Sequence, residues 1–504
     1  MTATIQLSPQ RRFALTVVVM GASFIQVLDS TIANVALPHM QAALGASPDQ
    51  VTWILTSYII ASAVAMPLSG WLEARLGRHV LVMASIGGFT VASMLCGISI
   101  SLPMMIASRV LQGVFGAFLG PLSQAIMLDI YPEEQRASAM TIWGIGIMAG
   151  PIMGPVLGGW LTDNLDWRWV FFINVPVGIL SLLGAMVLMP RIRERARPFD
   201  IWGFALLAIA LCAMQLVLDR GTDRDWFNSP EILIESAITI GAFWMFAVHT
   251  MTARAPLLPI ALFKDRNFVV SNIFVLVVFG VMMSAAALLP PMMQRLLGYD
   301  TFQSGLLTMP RGLAMMVSMI VLGRLLNRID MRIIIMTGMA MICIAQWMMT
   351  GFDLEMDQRP IIYTGILQGA GAGMVMVPLN LLAFSTLPPH LRTSAASLYS
   401  LARNIGASIT IAVFSAFLVR NQQISHSDLA SSLNLPKIAV SGAQVQTETI
   451  ARMIDAEINR QAVMIAYLDD FWLMSVLSFL MLPLVLLLKP VKSMPKEVGT
   501  MVME

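Results

Sequence analysis

Apolar runs of membrane-spanning length recur fourteen times along this chain, and that recurrence leaves few folds open to it. Seven fall at about 14 to 37, 51 to 72, 79 to 99, 104 to 128, 138 to 161, 169 to 189 and 200 to 219. Seven more fall at about 232 to 252, 268 to 290, 303 to 323, 333 to 351, 360 to 384, 395 to 418 and 466 to 488. A helix needs roughly 20 apolar residues to cross the hydrocarbon core. Only 12% of residues are charged, against about 25% in soluble domains, so the chain reads as an all-α polytopic membrane protein. Arg11 and Arg12 stand before the first run as at the start of a signal peptide, but the run is too long for one and reads as a retained signal-anchor helix. Cys96, Cys212 and Cys343 all lie within apolar runs and indicate no external disulfide.

Short cytoplasmic loops are enriched in Lys and Arg. Placing the N-terminus inside puts most of these residues on the cytoplasmic side, with Arg191, Arg193, Arg195 and Arg197 as the clearest marker. Both termini are therefore expected in the cytoplasm. A net charge of +2 gives no sign of a nucleic-acid partner. A weak internal repeat divides the chain. Gly70-Trp71-Leu72-Glu73-Ala74-Arg75 after the second run recurs as Gly323-Arg324-Leu325-Leu326-Asn327-Arg328 after the tenth, 253 positions on. Gln112-Gly113 in the fourth recurs as Gln368-Gly369 in the twelfth, 256 positions on. Parallel repeats of this sort are a transporter architecture. The expected organisation is a cytoplasmic segment 1–13, a six-helix half 14–190, two inserted helices and linkers 191–267, a second half 268–488 with a long outer loop 419–465, and a tail 489–504.

Asp29 is the only ionisable residue between Ala14 and Leu37. A charge in hydrocarbon is costly, so such a residue faces a cavity, pairs with a cation or takes up a proton. By helical rise, Asp29 and Arg109 lie roughly 12 and 8 Å below the outer face, close enough in level to pair. The pair reads as a switchable proton site or as a permanent structural ion pair. Arg311 and Arg403 are each about 12 Å from a membrane face; Arg403 fits snorkelling or helix capping better, while Arg311 stays open. Three buried arginines against one central acid would make the interior positive and favour neutral or acidic apolar substrates over cations. Polar candidates for a substrate cavity are Gln26, Asn34, Gln112, Arg311, Gln368 and Asn380. The many methionines could form an adaptable cavity wall, although most read as packing or lipid-facing residues.

Gly146, Gly150, Gly154 and Gly158 recur every fourth residue and form one stripe that lets another helix approach closely. Pro151 and Pro155 each remove a backbone donor and permit a bend. The stripe reads as a sliding contact between the halves, or as ordinary tight packing. Gly70, Arg75, Gly77 and Arg78 belong to the loop after the second run, where the arginines either gate the inner face or only set topology. No Gly-Lys dipeptide occurs, so the phosphate-cradling ATP loop is missing. The five histidines show no metal-site spacing. In the long outer loop, Ile450, Met453, Ile454 and Ile458 suggest an amphipathic helix near 446 to 462, lying on the membrane or docking a partner.

Several of these segments match signatures of one family. They are Leu28-Asp29-Ser30-Thr31-Ile32-Ala33-Asn34-Val35-Ala36-Leu37-Pro38; Gly70 through His79; Arg109 with Gln112-Gly113; Gly150-Pro151 through Gly154-Pro155 and Gly158-Gly159; and Trp167-Arg168-Trp169 through Asn174, Pro176 and Gly178. The chain resembles the fourteen-helix drug/proton antiporters of the major facilitator superfamily, of the EmrB/QacA type, along nearly its whole length. That resemblance implies a 6+2+6 major facilitator fold in the bacterial inner membrane. It implies multidrug efflux of small hydrophobic compounds by alternating access, with Asp29 and Arg109 in proton coupling. Gly70, Arg75, Gly77, Arg78, Gly150, Pro151, Gly154, Pro155 and Gly158 would then move the gates. No cofactor beyond the proton gradient is implied. A periplasmic adaptor, an EmrA-like membrane fusion protein leading to an outer-membrane channel, is the implied partner besides membrane lipid. The loop signature usually has an acid where this chain has Ala74, so Glu73 would have to substitute. A proton-coupled metabolite symporter and a non-transporting membrane sensor or enzyme are the alternatives.

Overall fold

The computed structural model describes residues 8–190, 198–325, 329–432 and 444–489. Arg191, Arg193, Arg195, Arg197 and Arg328 lie outside them. Fourteen helices are long and apolar enough to span a membrane: α1 (Pro9–Leu44), α2 (Trp53–Leu76), α3 (Arg78–Gly97), α4 (Leu102–Ile130), α5 (Ser138–Asn164), α6 (Trp169–Leu188), α7 (Ile201–Arg220), α8 (Pro230–Thr252), α9 (Arg266–Leu296), α10 (Phe302–Gly323), α11 (Met331–Met349), α12 (Arg359–Ser385), α13 (Arg392–Ser431) and α14 (Arg452–Leu487). No strand occurs among the described residues. Helices are the expected outcome in lipid, because each satisfies its own backbone hydrogen bonds.

An even number of crossings returns the chain to the face it left, called here the termini face. Four of the helices that start there carry polar N-caps. The side chains of Ser8, Asp200, Asp265 and Asp330 accept bonds from the amides of Arg11, Gly203, Phe268 and Arg332 at the heads of α1, α7, α9 and α11. Such a cap is worth about 1 kcal/mol. α1 stops at Gly45, whose φ of 62° is a left-handed conformation that glycine adopts at no steric cost.

Helix pairing repeats. In the first six helices α1 packs on α5 and α6, α4 on α2 and α3, and α3 on α6. In the last six, α9 packs on α13 and α14, α12 on α10 and α11, and α11 on α14. α7 and α8 pack on each other and reach the remainder through α7, which touches α2 and α13. α8 leaves Ile240, Trp244 and Met251 exposed, as lipid contact requires.

The loop after α13 differs from the expected surface helix. α13 stays helical through Ser432, and the helix that becomes α14 begins at Gln444. The two extensions pair through Asn421–Asp469 (3.1 Å), Gln422–Asn459 (3.0 Å) and His426–Asp455 (3.2 Å). The helix expected over 446 to 462 exists, but it stands on α14 as its first turns. Polar partners on α13 hold it there, so it need not lie on lipid. Met453 faces outward, 68% exposed.

Candidate functional site

Asp29 and Arg109 are both wholly buried, at 0% exposure. One carboxylate oxygen accepts from Arg109 Nη1 at 2.6 Å; the other accepts from Gln112 Nε2 at 2.8 Å and Asn174 Nδ2 at 2.9 Å. Arg109 also donates to the Ile54 carbonyl (3.1 Å) and to Gln112 Oε1 (2.8 Å). Its guanidinium lies over the Tyr58 ring, 4.5 Å from the centroid. α1, α2, α4 and α6 thus converge on one carboxylate. Arg109 and Gln112 are three apart and share a face of α4. Gly113 lets that face close on α2: a Cβ there would sit 2.5 Å from the Tyr58 carbonyl oxygen.

Such a pair survives burial only when its remaining polar groups find partners. Asp29 has three donors and is satisfied, while Arg109 Nη2 is left without a partner. Adding a proton would cancel the attraction to Arg109 and free a guanidinium in a dry site. Asn174 and Tyr58 were not among the sequence candidates. Asn174 stood in a quoted signature, but nothing in sequence spacing directs α6 toward α1.

A second network closes the termini face. Arg78 Nε donates to Glu73 at 2.5 Å and Nη1 to Asp129 at 2.8 Å. Asp129 also accepts from Arg392, at the head of α13. Glu73, next to Ala74, is thus an acid that pairs with Arg78. Among the described residues Arg78 reaches the other half through Asp129, while Arg75 is exposed and lies over Trp71. Gly70 allows α2 to meet α13, since a Cβ would sit 2.1 Å from Ser394 Oγ, and Gly77 turns at φ 85°. Ser397 donates to the Met66 carbonyl at 2.5 Å, and Gln124 to Asn380 at 2.8 Å. These bonds join the first six helices to the last six.

The glycine stripe is placed differently from its expected position between the halves. Gly150, Gly154 and Gly158 lie against Val27, Thr31 and Ile32 of α1, within the same half, and Gly146 meets Met20. α5 reaches α10 through another face, with Gly144 against Met319 and Thr141 against Gly323. In this conformation the stripe is the seat of α1. Pro151 is half-buried in α5, and the Pro155 side chain lies outside the described ones.

Other polar candidates are scattered. Gln26 is half-buried facing Gly120 of α4, and Asn34 is exposed, bonded to the Ser30 carbonyl at 3.2 Å. Arg311 donates to the Met282 carbonyl at 2.7 Å. Gln368 is fully buried, with both amide atoms unpartnered. Arg403 lies over the Phe279 ring, where a stacking contact replaces the expected snorkelling. A groove of about 610 Å³ between α10 and α12, lined by Leu313, Val317, Val321, Ile366 and Met374, contains none of these polar candidates. Asp470 of α14 is a buried acid that sequence reading passed over, because it stands near the outer start of its apolar run; neither oxygen has a partner.

Two repeated helix sets around a buried acid–arginine pair define a secondary transporter. The chain belongs to the Major Facilitator Superfamily, whose profile matches residues 19–411. It is 33% identical over 486 residues to the multidrug export protein EmrB of Escherichia coli strain K12, covering 94% of this chain and 95% of that one. It is 33% identical over 481 residues to the fatty acid resistance protein FarB of Neisseria gonorrhoeae, covering 93% and 94%. Among solved structures, the human organic anion transporter MFSD10 aligns with a TM-score of 0.61 at 15% identity, over 95% of this chain and 100% of that one. The proton:xylose symporter XylE aligns at 0.59 and 13% identity over 95% of each chain. These structural likenesses bear on the fold alone.

Proposed function

We propose that the chain exports hydrophobic, neutral or weakly acidic toxic compounds in exchange for protons, and that Asp29 with Arg109 is the proton-coupling site. The protein is a multidrug efflux transporter of the major facilitator superfamily, multi-pass in the bacterial inner membrane, and no enzyme; its EmrB relatives carry that reading. The observation that favours Asp29 is its isolation. It is a fully buried carboxylate whose only cationic partner among the described residues is Arg109. Protonation there changes the interaction of α1 with α4 and α6 together, so one proton acts on three helices of the first half.

Division into halves 14–190 and 268–488, with an inserted pair, is supported by the repeated pairing of helices. The termini face is taken as cytoplasmic. On that reading the Arg78–Asp129–Arg392 network closes the inner gate, and Gly70 and Gly77 make its hinge. The α13–α14 extension then projects into the periplasm, where a membrane fusion adaptor leading to an outer-membrane channel would meet it. Inverted membrane vesicles test the direction of transport. A hydrophobic dye should accumulate when the lumen is acidified and leave again on adding a protonophore. Accumulation only when the outside is the more acidic side, with compound and proton moving the same way as in a symporter, contradicts the reading.

A further inference from the structure

Packing sets the register between the two halves. Gly113 of α4 rests on the Tyr58 carbonyl of α2, and Gly369 of α12, 256 positions on, rests on the Arg311 carbonyl of α10, 253 positions after Tyr58. Gly154 of α5 rests on Thr31 of α1, and Thr410 of α13, again 256 positions on, meets Gly280 of α9, 249 positions after Thr31. In that register Gln368 stands where Gln112 stands in the first half. Gly365 takes the place of Arg109, and Arg311 that of Tyr58. A Cβ on Gly365 would lie 3.5 Å from that of Arg311, so the missing side chain leaves room for the guanidinium. The counterpart of Asp29 is Val278, buried and apolar.

The second half therefore keeps a cation and an amide but has lost the acid. In the first half Gln112 Nε2 and Arg109 Nη1 both donate to Asp29. In the second, Gln368 is wholly buried with both amide atoms idle, an arrangement that is unfavourable unless something fills it. Arg311 makes no ion pair with any described residue, and its one bond goes to the Met282 carbonyl. Arg311 itself is half-buried. Met282, whose carbonyl it meets, and Met315, one turn on in α10, are apolar and buried.

We propose that Arg311 and Gln368 form a subsite for the carboxylate of an amphipathic organic acid, the ligand supplying in the second half the acid that Asp29 supplies in the first. The subsite rests on the efflux reading and gives it a head-group preference. Arg311 would hold one carboxylate oxygen and the Gln368 amide the other, while the hydrophobic body lies against the neighbouring methionines.

Three naphthalene compounds with one ring system and different heads, naphthylacetate, naphthaleneethanol and naphthylethylammonium, test this by equilibrium dialysis against the purified full chain. Wild type should bind the carboxylate about tenfold or more tightly than the alcohol, the range expected for charged hydrogen bonds. Arg311→Met and Gln368→Met should bring the carboxylate down to the level of the alcohol. Unchanged alcohol binding shows that each variant is folded, and Arg311→Lys should keep part of the preference. Val278→Asp, which restores an internal acid, should abolish the preference with both donors intact. Equal binding of carboxylate and alcohol by wild type, or a preference that persists in Arg311→Met, overturns the subsite. Proteoliposome export of the alcohol separates the two claims. Export without a head-group preference sinks only the subsite, and export of none of the three compounds sinks the efflux reading beneath it.

Discussion

Among the described residues Arg109 has no second anion to turn to. Its ion-pair partner is Asp29, and its stacking on Tyr58 and its bond to the Ile54 carbonyl fix it in a fully buried position. Removing one member of a buried pair strands the other, at about 3–5 kcal/mol. Arg109→Gln should therefore lower stability by that amount, seen in thermal unfolding in detergent. Adding Asp29→Asn should recover a good part of the loss, because two neutral amides can bond to each other and to Asn174. Purely additive losses would mean the two side chains do not interact. Sequence alone reached this pair because a single carboxylate in a long apolar run is conspicuous and helical rise placed an arginine at its level. Asn174, Asp129 and Arg392 were not reachable in that way. Each sits beside helix ends whose neighbours are decided by packing between distant segments.

Between helices, close approach is set by glycine, and two substitutions separate tight from open positions. A Cβ on Gly113 would meet backbone at 2.5 Å, whereas one on Gly159 would meet nothing within 4 Å. Gly113→Ala should cost about 1–3 kcal/mol through forced separation of α2 and α4. Gly159→Ala should be neutral or stabilising by up to about 1 kcal/mol, since alanine favours helix. Paired unfolding curves check both. Asp200 holds the inserted pair in another way: it caps α7 and binds His249 of α8 and the Leu257 amide. Burial pushes its carboxyl up, but the Gly203 amide, His249 and the Leu257 amide outweigh that and hold it below the ordinary carboxylate range. A lowered carboxyl contributes stability that is present above the ordinary range and lost as pH falls through its lowered value. Asp200→Ala should thus cost about 1 kcal/mol at neutral pH. The difference from wild type should shrink as pH drops below about 4. The sequence read all fourteen spans, because apolar length is a local property. It misplaced the seat of the Gly150–Gly158 stripe and the posture of residues 446 to 462, because both depend on which helix lies alongside.

Across the molecule, bonds between the two halves gather on the termini face, with Arg392 on Asp129, Ser397 on Met66 and Gln124 on Asn380. Alternating access requires these to break when the inner side opens. Arg392→Ala should favour opening. A cysteine placed at Thr141, 4% exposed where α5 meets α10, should then react several-fold faster with a permeant maleimide on a background lacking Cys96, Cys212 and Cys343. An unchanged rate would mean that Arg392 does not hold the face closed. The helix order and the repeat offsets made the two-half plan legible from sequence. Which face is closed was not, since that depends on side chains meeting across the halves. Coupled proton movement tests the whole account most directly. Proteoliposomes holding wild type or Asp29→Asn, under an imposed pH gradient, would be followed for proton flux on adding an exported compound. Wild type should show substrate-linked proton flux, and Asp29→Asn should lose it while still binding the compound. Equal coupled flux in both proteins would contradict the assignment of the proton to Asp29.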